Sequence, residues 1–118
     1  MSEHVRRWKA AWESLDATRV VALYAPGATH ASALVSRIYP EAGGHELRGV
    51  DHIRQYVERG LARFTTLQFE LLSVTESDGR SAIEYRRHSN VDGDHPPHVL
   101  ELIEWEDERI VTVRVFHF

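Results

Sequence analysis

Glu101 lies on a segment with the alternating pattern of a β-strand, His98 to Trp105. Side chains alternate faces along a strand, so Glu101 shares one face with Val99, Ile103 and Trp105. Burying an unpaired carboxylate is costly, so this group is expected to be paired, protonated or used for chemistry. The pattern therefore predicts that Glu101 lies in a ligand pocket.

Arg87 is the partner that the sequence suggests for this carboxylate. A turn over Asp92 to Pro97 that sets Ser89 opposite Val99 also sets Arg87 opposite Glu101. Tyr85, Arg87 and Ser89 then share the inward face. Two interpretations stay open. The pair is structural and lowers the carboxyl pKa, or Arg87 holds a negatively charged oxygen while Glu101 moves a proton.

Histidines offer a second source of acid or base chemistry. His30 and Ser32 are expected on the inward face of the first strand, where His30 could transfer a proton near neutrality. His117 alternates with the valines of the last strand and is a further candidate for the same pocket. The alternative for both histidines is a role in hydrogen bonding or solvent exposure only.

The histidines beside the second turn do not form a convincing metal site. His95 and His98 flank Pro96 and Pro97 near Asp92 and Asp94, on a turn that supplies no evident further ligand. No metal site and no cofactor are predicted.

Composition restricts the classes of protein to consider. The chain has 118 residues and no cysteine, so one domain over residues 1–118 is expected, without disulfides or thiol chemistry. Its formal charge is −4 with scattered basic residues, which argues against nucleic-acid binding. No segment has the apolar length of a membrane helix or a signal peptide, so a cytoplasmic protein without membrane contact is predicted.

Helical patterns occur in three places. Val5, Trp8, Trp12 and Leu15 share one helix face. A short helix over 17–25, capped by Asp16 and stopped by Pro26 and Gly27, follows. The third helix covers 50–64, where apolar residues recur every three or four positions.

Strand patterns fill the remainder. A bent strand is expected from Ala28 as far as Tyr39, with a hairpin tip at 40–44 and a return strand over 45–48. After the third helix, four strands follow one another, with turns at Asp78 and Gly79, at 92–97 and at 106–108. The order predicts helices packed on one face of a mainly antiparallel sheet.

Three stretches together resemble the SnoaL-like group of the nuclear transport factor 2-like superfamily. They are AAWESLDATRVVALYAPGATH, HELRGVDHIRQYVERGLARF and ELIEWEDERIVTVRVF. The resemblance implies an α+β, cystatin-like cone in which three helices pack on a curved, mainly antiparallel sheet around a pocket. It also implies a homodimer formed through the sheet, on the outer face with Arg86, Thr112, Arg114 and Phe116.

The resemblance extends only partly to catalytic residues. Of the three groups used by ketosteroid isomerases, the helix tyrosine falls on Trp8 and the base aspartate on Ser32. The later aspartate falls on or near Glu101. Because the family's first and third helices border the pocket, Trp8 and Tyr56 are expected in its wall.

Two functions remain open. The first is a pocket for a small hydrophobic or amphipathic molecule with cofactor-free proton transfer, as in an isomerase, cyclase or dehydratase, by Glu101, His30 and Arg87. Trp8, Ser32, Tyr56, Tyr85, Ser89 and His117 would then bind the substrate. The second is a non-catalytic ligand-binding or dimeric interaction domain.

Overall fold

The computed structural model describes all residues, 1–118, as four helices and a six-stranded sheet. The helices are α1 (Glu3–Glu13), α2 (Ala17–Val21), α3 (Ala33–Ile38) and α4 (Val50–Leu61), with a short 3₁₀ turn at Pro40–Ala42. The strands are β1 (Tyr24–Ala31), β2 (Glu46–Arg48), β3 (Leu67–Ser77), β4 (Arg80–Ser89), β5 (His98–Glu106) and β6 (Arg109–His117). This confirms the α+β class, with one helix more than expected.

The sheet has the order β2-β1-β6-β5-β4-β3. All neighbouring strands are antiparallel except β1 and β6, which run parallel. The β1–β6 pairing connects the N-terminal half of the chain to the four-stranded meander. Helix α1 contacts β3, α4 contacts β1 and β2, and α3 contacts β6, so the helices cover the sheet across its width.

The predicted second helix is too long, because the chain leaves it to join the sheet. The carbonyl of Leu23 accepts a hydrogen bond from Ile110 N at 2.7 Å, and Tyr24 pairs with Ile110. Pro26 and Gly27 therefore do not end a helix but lie within β1. They occupy the irregular stretch between Tyr24 and Thr29, where a proline without an N–H is tolerated.

The predicted strand from Ala28 to Tyr39 is also wrong in its second half. The Ser32 hydroxyl accepts a hydrogen bond from Leu34 N at 3.1 Å and caps α3. The chain then turns back through Pro40–Ala42 to form β2, which pairs with β1 as the return strand was expected to do. Residues 33–38 are therefore helical, although their sequence pattern favoured a strand.

One apolar core joins the helices to the sheet. Val5 and Trp8 of α1 and Ile53 and Val57 of α4 are at most 1% exposed. They are buried against the inward residues of the strands, among them Ile83, Val99, Ile103, Ile110 and Val113, each at most 1% exposed. Four polar residues are also buried: His30, Ser32, Ser81 and Glu101. Three of these four were predicted site residues.

Candidate functional site

A cavity lies between α3, α4 and the inward face of the sheet, and its volume is about 60 Å³. Eleven of its 18 lining residues are hydrophobic. The polar and charged residues in its wall are His30, Ser32, Arg63, Arg87, Glu101 and His117, together with the tyrosines Tyr56 and Tyr85. A mostly apolar wall with a few converging polar groups is typical of small-molecule sites.

Glu101 lies in this wall and is 7% exposed. The Tyr85 hydroxyl donates a hydrogen bond to Glu101 Oε1 at 2.6 Å. Burial raises the pKa of Glu101 from 4.5 to about 7, although hydrogen bonds from Tyr85 and Trp8 oppose the rise. The carboxyl group can therefore take up or release a proton near neutral pH.

Arg87 is not the partner of Glu101, contrary to the sequence prediction. Glu101 lies opposite Ile83, and Tyr85 rather than Ser89 lies opposite Val99. The ladder ends at the Arg86–His98 pair because Pro96 and Pro97 have no N–H to donate to it. The predicted inward face is right, but the register is wrong by four residues, and the expected lowering of the Glu101 pKa does not occur.

Asp92, rather than Glu101, is the carboxylate that pairs with Arg87. Arg87 donates to both its oxygens, from Nε to Oδ2 at 2.9 Å and from Nη2 to Oδ1 at 2.7 Å. Ser89 also donates to Oδ2, at 2.6 Å, so Ser89 stabilises this turn and does not line the cavity. Burial raises the pKa of Asp92, but the hydrogen bonds from Arg87 and Ser89 outweigh it and leave the pKa lowered.

His30 is 2% exposed and lines the same cavity. Its Nδ1 lies 3.0 Å from the Tyr24 hydroxyl, while its Nε2 is buried without a partner. Burial lowers the pKa of His30 to about 4, so the ring is neutral at pH 7. A neutral imidazole has one donor and one acceptor nitrogen, so a hydrogen bond donated by the Tyr24 hydroxyl to Nδ1 would leave the ring proton on Nε2.

Ser32, Tyr56 and His117 surround the approach to His30. The Tyr56 ring lies 5.1 Å from the His30 ring, and burial raises the Tyr56 pKa to about 12. Ser32 Oγ, besides capping α3, lies 3.4 Å from His117 Nε2. His117 is exposed, and burial of part of its ring together with the charge of Arg87 lowers its pKa. All three predicted residues line the cavity.

Trp8 does not line the cavity, although it was expected in the wall. It is 1% exposed and stacks on Phe69 with ring centroids 5.0 Å apart. It also meets the Tyr85 ring edge-on at 5.5 Å. Trp8 thus packs against Tyr85 within the core and donates a hydrogen bond to Glu101 from there.

Arg63 is the one charged cavity residue that was not predicted from the sequence. Tyr24, the partner of His30, was assigned to a helix. For Arg63 a signal existed, since it follows Tyr56 and Gly60 at helical spacing and so shares their face. For Tyr24 none existed, because its position depends on pairing with β6.

The predicted metal candidates beside the second turn form other contacts where they have a partner. His98 Nε2 lies 2.6 Å from Glu84 Oε2, and Asp92 is bound by Arg87. No group of three or more His, Cys, Asp or Glu residues is arranged to hold a metal ion.

Together, the fold and the cavity define a small α+β protein with a mostly apolar cavity between its helices and its sheet. Residues 5–113 match the SnoaL-like domain model, and the chain belongs to this family. No curated protein matches the chain. None of the four helices combines the length and apolar character that crossing a bilayer requires.

Solved structures with the same fold cover nearly the whole chain. A SnoaL-like protein of unknown function from Burkholderia thailandensis is 25% identical, with a TM-score of 0.78, covering 97% of this chain and 91% of that one. A putative polyketide cyclase from Sinorhizobium meliloti is 16% identical, with a TM-score of 0.76 and coverages of 98% and 95%.

A third similar structure contains a bound small molecule. It is a hypothetical protein with a ketosteroid isomerase-like fold from Catenulispora acidiphila, in complex with trimethylamine. The identity is 18%, the TM-score 0.74 and the coverages 98% and 85%. These likenesses establish the nuclear transport factor 2-like fold.

Proposed function

We propose that the chain binds a small molecule in this cavity and catalyses cofactor-free proton transfer on it, as an isomerase, cyclase or dehydratase does. The observation that carries the proposal is that Glu101 and His30, two buried groups with shifted pKa values, line one cavity. Shifted pKa values in a cleft are characteristic of acid and base catalysts.

The two groups have different roles in this proposal. Glu101, with a pKa of about 7, takes the proton from the substrate and returns it at another position. His30 donates a hydrogen bond from Nε2 to the substrate oxygen that gains negative charge, because that nitrogen has no protein partner. Arg87, which the sequence suggested for this task, is neutralised by Asp92.

Solvent exchange tests this proposal without knowledge of the natural substrate. The protein is incubated in D₂O with a panel of small enolisable ketones and β-hydroxy ketones, and loss of C–H signal is followed by NMR. Glu101→Gln is expected to slow exchange by at least ~100-fold, the usual contribution of a general acid or base. Glu104→Gln, on the outer face of the same strand, is the matched control.

The alternative is a non-catalytic ligand-binding domain. The narrow cavity and the Tyr85 hydroxyl already bound to Glu101 favour it. If no compound exchanges faster with the wild type than with Glu101→Gln, catalysis on this panel is refuted. A rise in melting temperature with one of these compounds would then support ligand binding alone, since only the folded state binds it.

We also propose a homodimer through the outer sheet face. This face presents Phe116, which is 44% exposed, beside Thr112 and Arg114. Exposed aromatic residues and arginines are enriched at protein interfaces, and this face has both in Phe116 and Arg114. Sedimentation is expected to show a dimer for the wild type and a monomer for Phe116→Glu, with Phe118→Glu as the control. A wild-type monomer at high concentration would refute this.

A further inference from the structure

The mouth of the cavity differs from its interior in charge. Among the lining residues only Arg63 and His117 are exposed, so they mark where the cavity meets solvent. Arg87, half-buried, lies in the same wall. The one carboxyl group of the lining, Glu101, is buried inside. A ligand that enters therefore passes basic side chains first.

Two guanidinium groups converge on one ring at this mouth. The Arg63 guanidinium carbon lies 4.9 Å from the centroid of the Phe64 ring, and that of Arg87 lies 5.2 Å from the same centroid. Burial, and then the charge of Arg87, lowers the pKa of Arg63. The charge of Asp92 raises the pKa of Arg63, but this carboxylate is bound by Arg87, so Arg63 is the guanidinium at the mouth that has no carboxylate bound to it.

The two arginines differ in what binds them. Arg87 is held by both oxygens of Asp92, and the side chains of this pair are 16% and 7% exposed. Arg63 donates from Nε to the Gly60 carbonyl at 3.2 Å and forms no ion pair with any carboxylate of the chain. One unpaired guanidinium, held at its Nε, thus faces the cavity mouth.

We propose that the ligand of this pocket is a small monocarboxylic acid whose carboxylate is bound at the mouth by Arg63, beside His117. This inference rests on the proposed function, because it concerns the ligand of the same cavity. A guanidinium binds a carboxylate through two parallel hydrogen bonds, as Arg87 already binds Asp92. The single unpaired charge matches one negative charge, and the volume of about 60 Å³ restricts the apolar part to a short chain.

The arrangement also orients the ligand. With its carboxylate at the exposed mouth, its apolar part lies along Val99, Phe69 and Leu67. Its far end then approaches His30 and Glu101, the buried polar groups. Proton transfer would take place at a carbon remote from the carboxylate.

Isothermal titration with matched acids and amides tests the proposal. Propionate, butyrate and hexanoate are compared with propionamide, butyramide and hexanamide, which have the same shape without the charge. The acids are expected to bind at least ~10-fold more tightly than their amides, as hydrogen bonds to a charged group imply. Arg63→Gln is expected to remove this preference, and Arg54→Gln, which changes an α4 arginine outside the cavity, to retain it.

Three results would overturn the inference. They are equal binding of acids and amides, no binding of either series, and a preference for acids that survives Arg63→Gln. Tighter binding of butylphosphonate than of butyrate would overturn the carboxylate in favour of a phosphate-like group.

The outcome is separable from that of the proposed function. Acid binding that depends on Arg63, without any proton exchange in D₂O, would support this inference and refute catalysis. Exchange of neutral ketones that depends on Glu101, without acid binding, would support catalysis and refute the carboxylic acid as the ligand.

Discussion

Tyr85 donates its hydroxyl proton to Glu101 Oε1 at 2.6 Å across the β4–β5 pair. Tyr85 lies opposite Val99, two residues before Glu101, so the tyrosine reaches diagonally along the inward face. This contact supplies a strong donor to a carboxyl group that burial would otherwise force into its neutral form. The pKa of Glu101 therefore lies at about 7 through a balance of burial and donation.

Removing that donor is expected to destabilise the protein in a pH-dependent way. Tyr85→Phe leaves the Glu101 carboxylate buried with one donor fewer, so its pKa rises further. Urea unfolding is expected to show a loss of about 1–3 kcal/mol at pH 8 and a smaller loss at pH 5, where Glu101 is protonated. Tyr39→Phe, which removes a tyrosine hydroxyl outside the cavity, is the control. A loss independent of pH would contradict the assigned contact.

The raised pKa of Glu101 predicts how stability changes between pH 4.5 and pH 7. In this window the folded protein keeps a proton that the unfolded chain has released, so this group's contribution falls as the pH rises. The shift corresponds to about 3 kcal/mol. Glu101→Gln is thus expected to gain stability relative to the wild type on going from pH 4.5 to pH 8, measured by urea unfolding. Glu104→Gln should show no such gain.

His30 predicts the opposite slope. Its folded pKa of about 4 lies below the ordinary 6.5, so its contribution to stability is complete above pH 6.5 and is lost as the pH falls toward 4. His30→Gln should reduce the acid-induced loss by about 3 kcal/mol, relative to the exposed His45→Gln control. The contributions of Glu101 and His30 change in opposite directions over the same pH range. Their sum, and hence the wild-type free energy of unfolding, should be nearly constant around pH 5 to 6. A steep wild-type slope that both variants retain would contradict these assignments.

The Arg87–Asp92 pair predicts a stability cost that does not involve Glu101. Arg87→Ala leaves the nearly buried Asp92 carboxylate with only Ser89, at a cost of about 3 kcal/mol. The double variant with Asp92→Ala should recover part of this loss in thermal unfolding. The pKa of Glu101, followed by carboxyl NMR shifts, should change little in Arg87→Ala. A large change in the Glu101 pKa would instead indicate that Arg87 interacts with Glu101, as the sequence suggested.

Much of the fold follows from local patterns. The three- and four-residue spacing of Val5, Trp8 and Trp12 predicted α1. Gly79, with φ +70°, occupies the predicted turn between β3 and β4. Its conformation suits glycine, and a Cβ there would lie 3.1 Å from the Trp105 carbonyl oxygen. Alternation also placed Glu101, Tyr85 and Arg87 on the correct face. These features depend only on neighbouring residues.

The errors have a common origin in long-range pairing. The local sequence predicted a helix at Tyr24, but Tyr24 pairs with Ile110 of β6. It predicted a strand at Ser32, but Ser32 caps α3. Strand alternation fixes which side a residue faces but not which residue lies opposite it, so Arg87 was assigned to the wrong carboxylate.

The sequence by itself determined that one carboxylate, Glu101, would be buried on an apolar strand face, because periodicity decides which face a side chain takes. Only the tertiary structure decided its neighbours. Tyr85 rather than Arg87 became its partner, and burial without a counter-ion raised its pKa instead of lowering it. Register and packing bring together residues distant in the chain, and these contacts determine the charge state of the site.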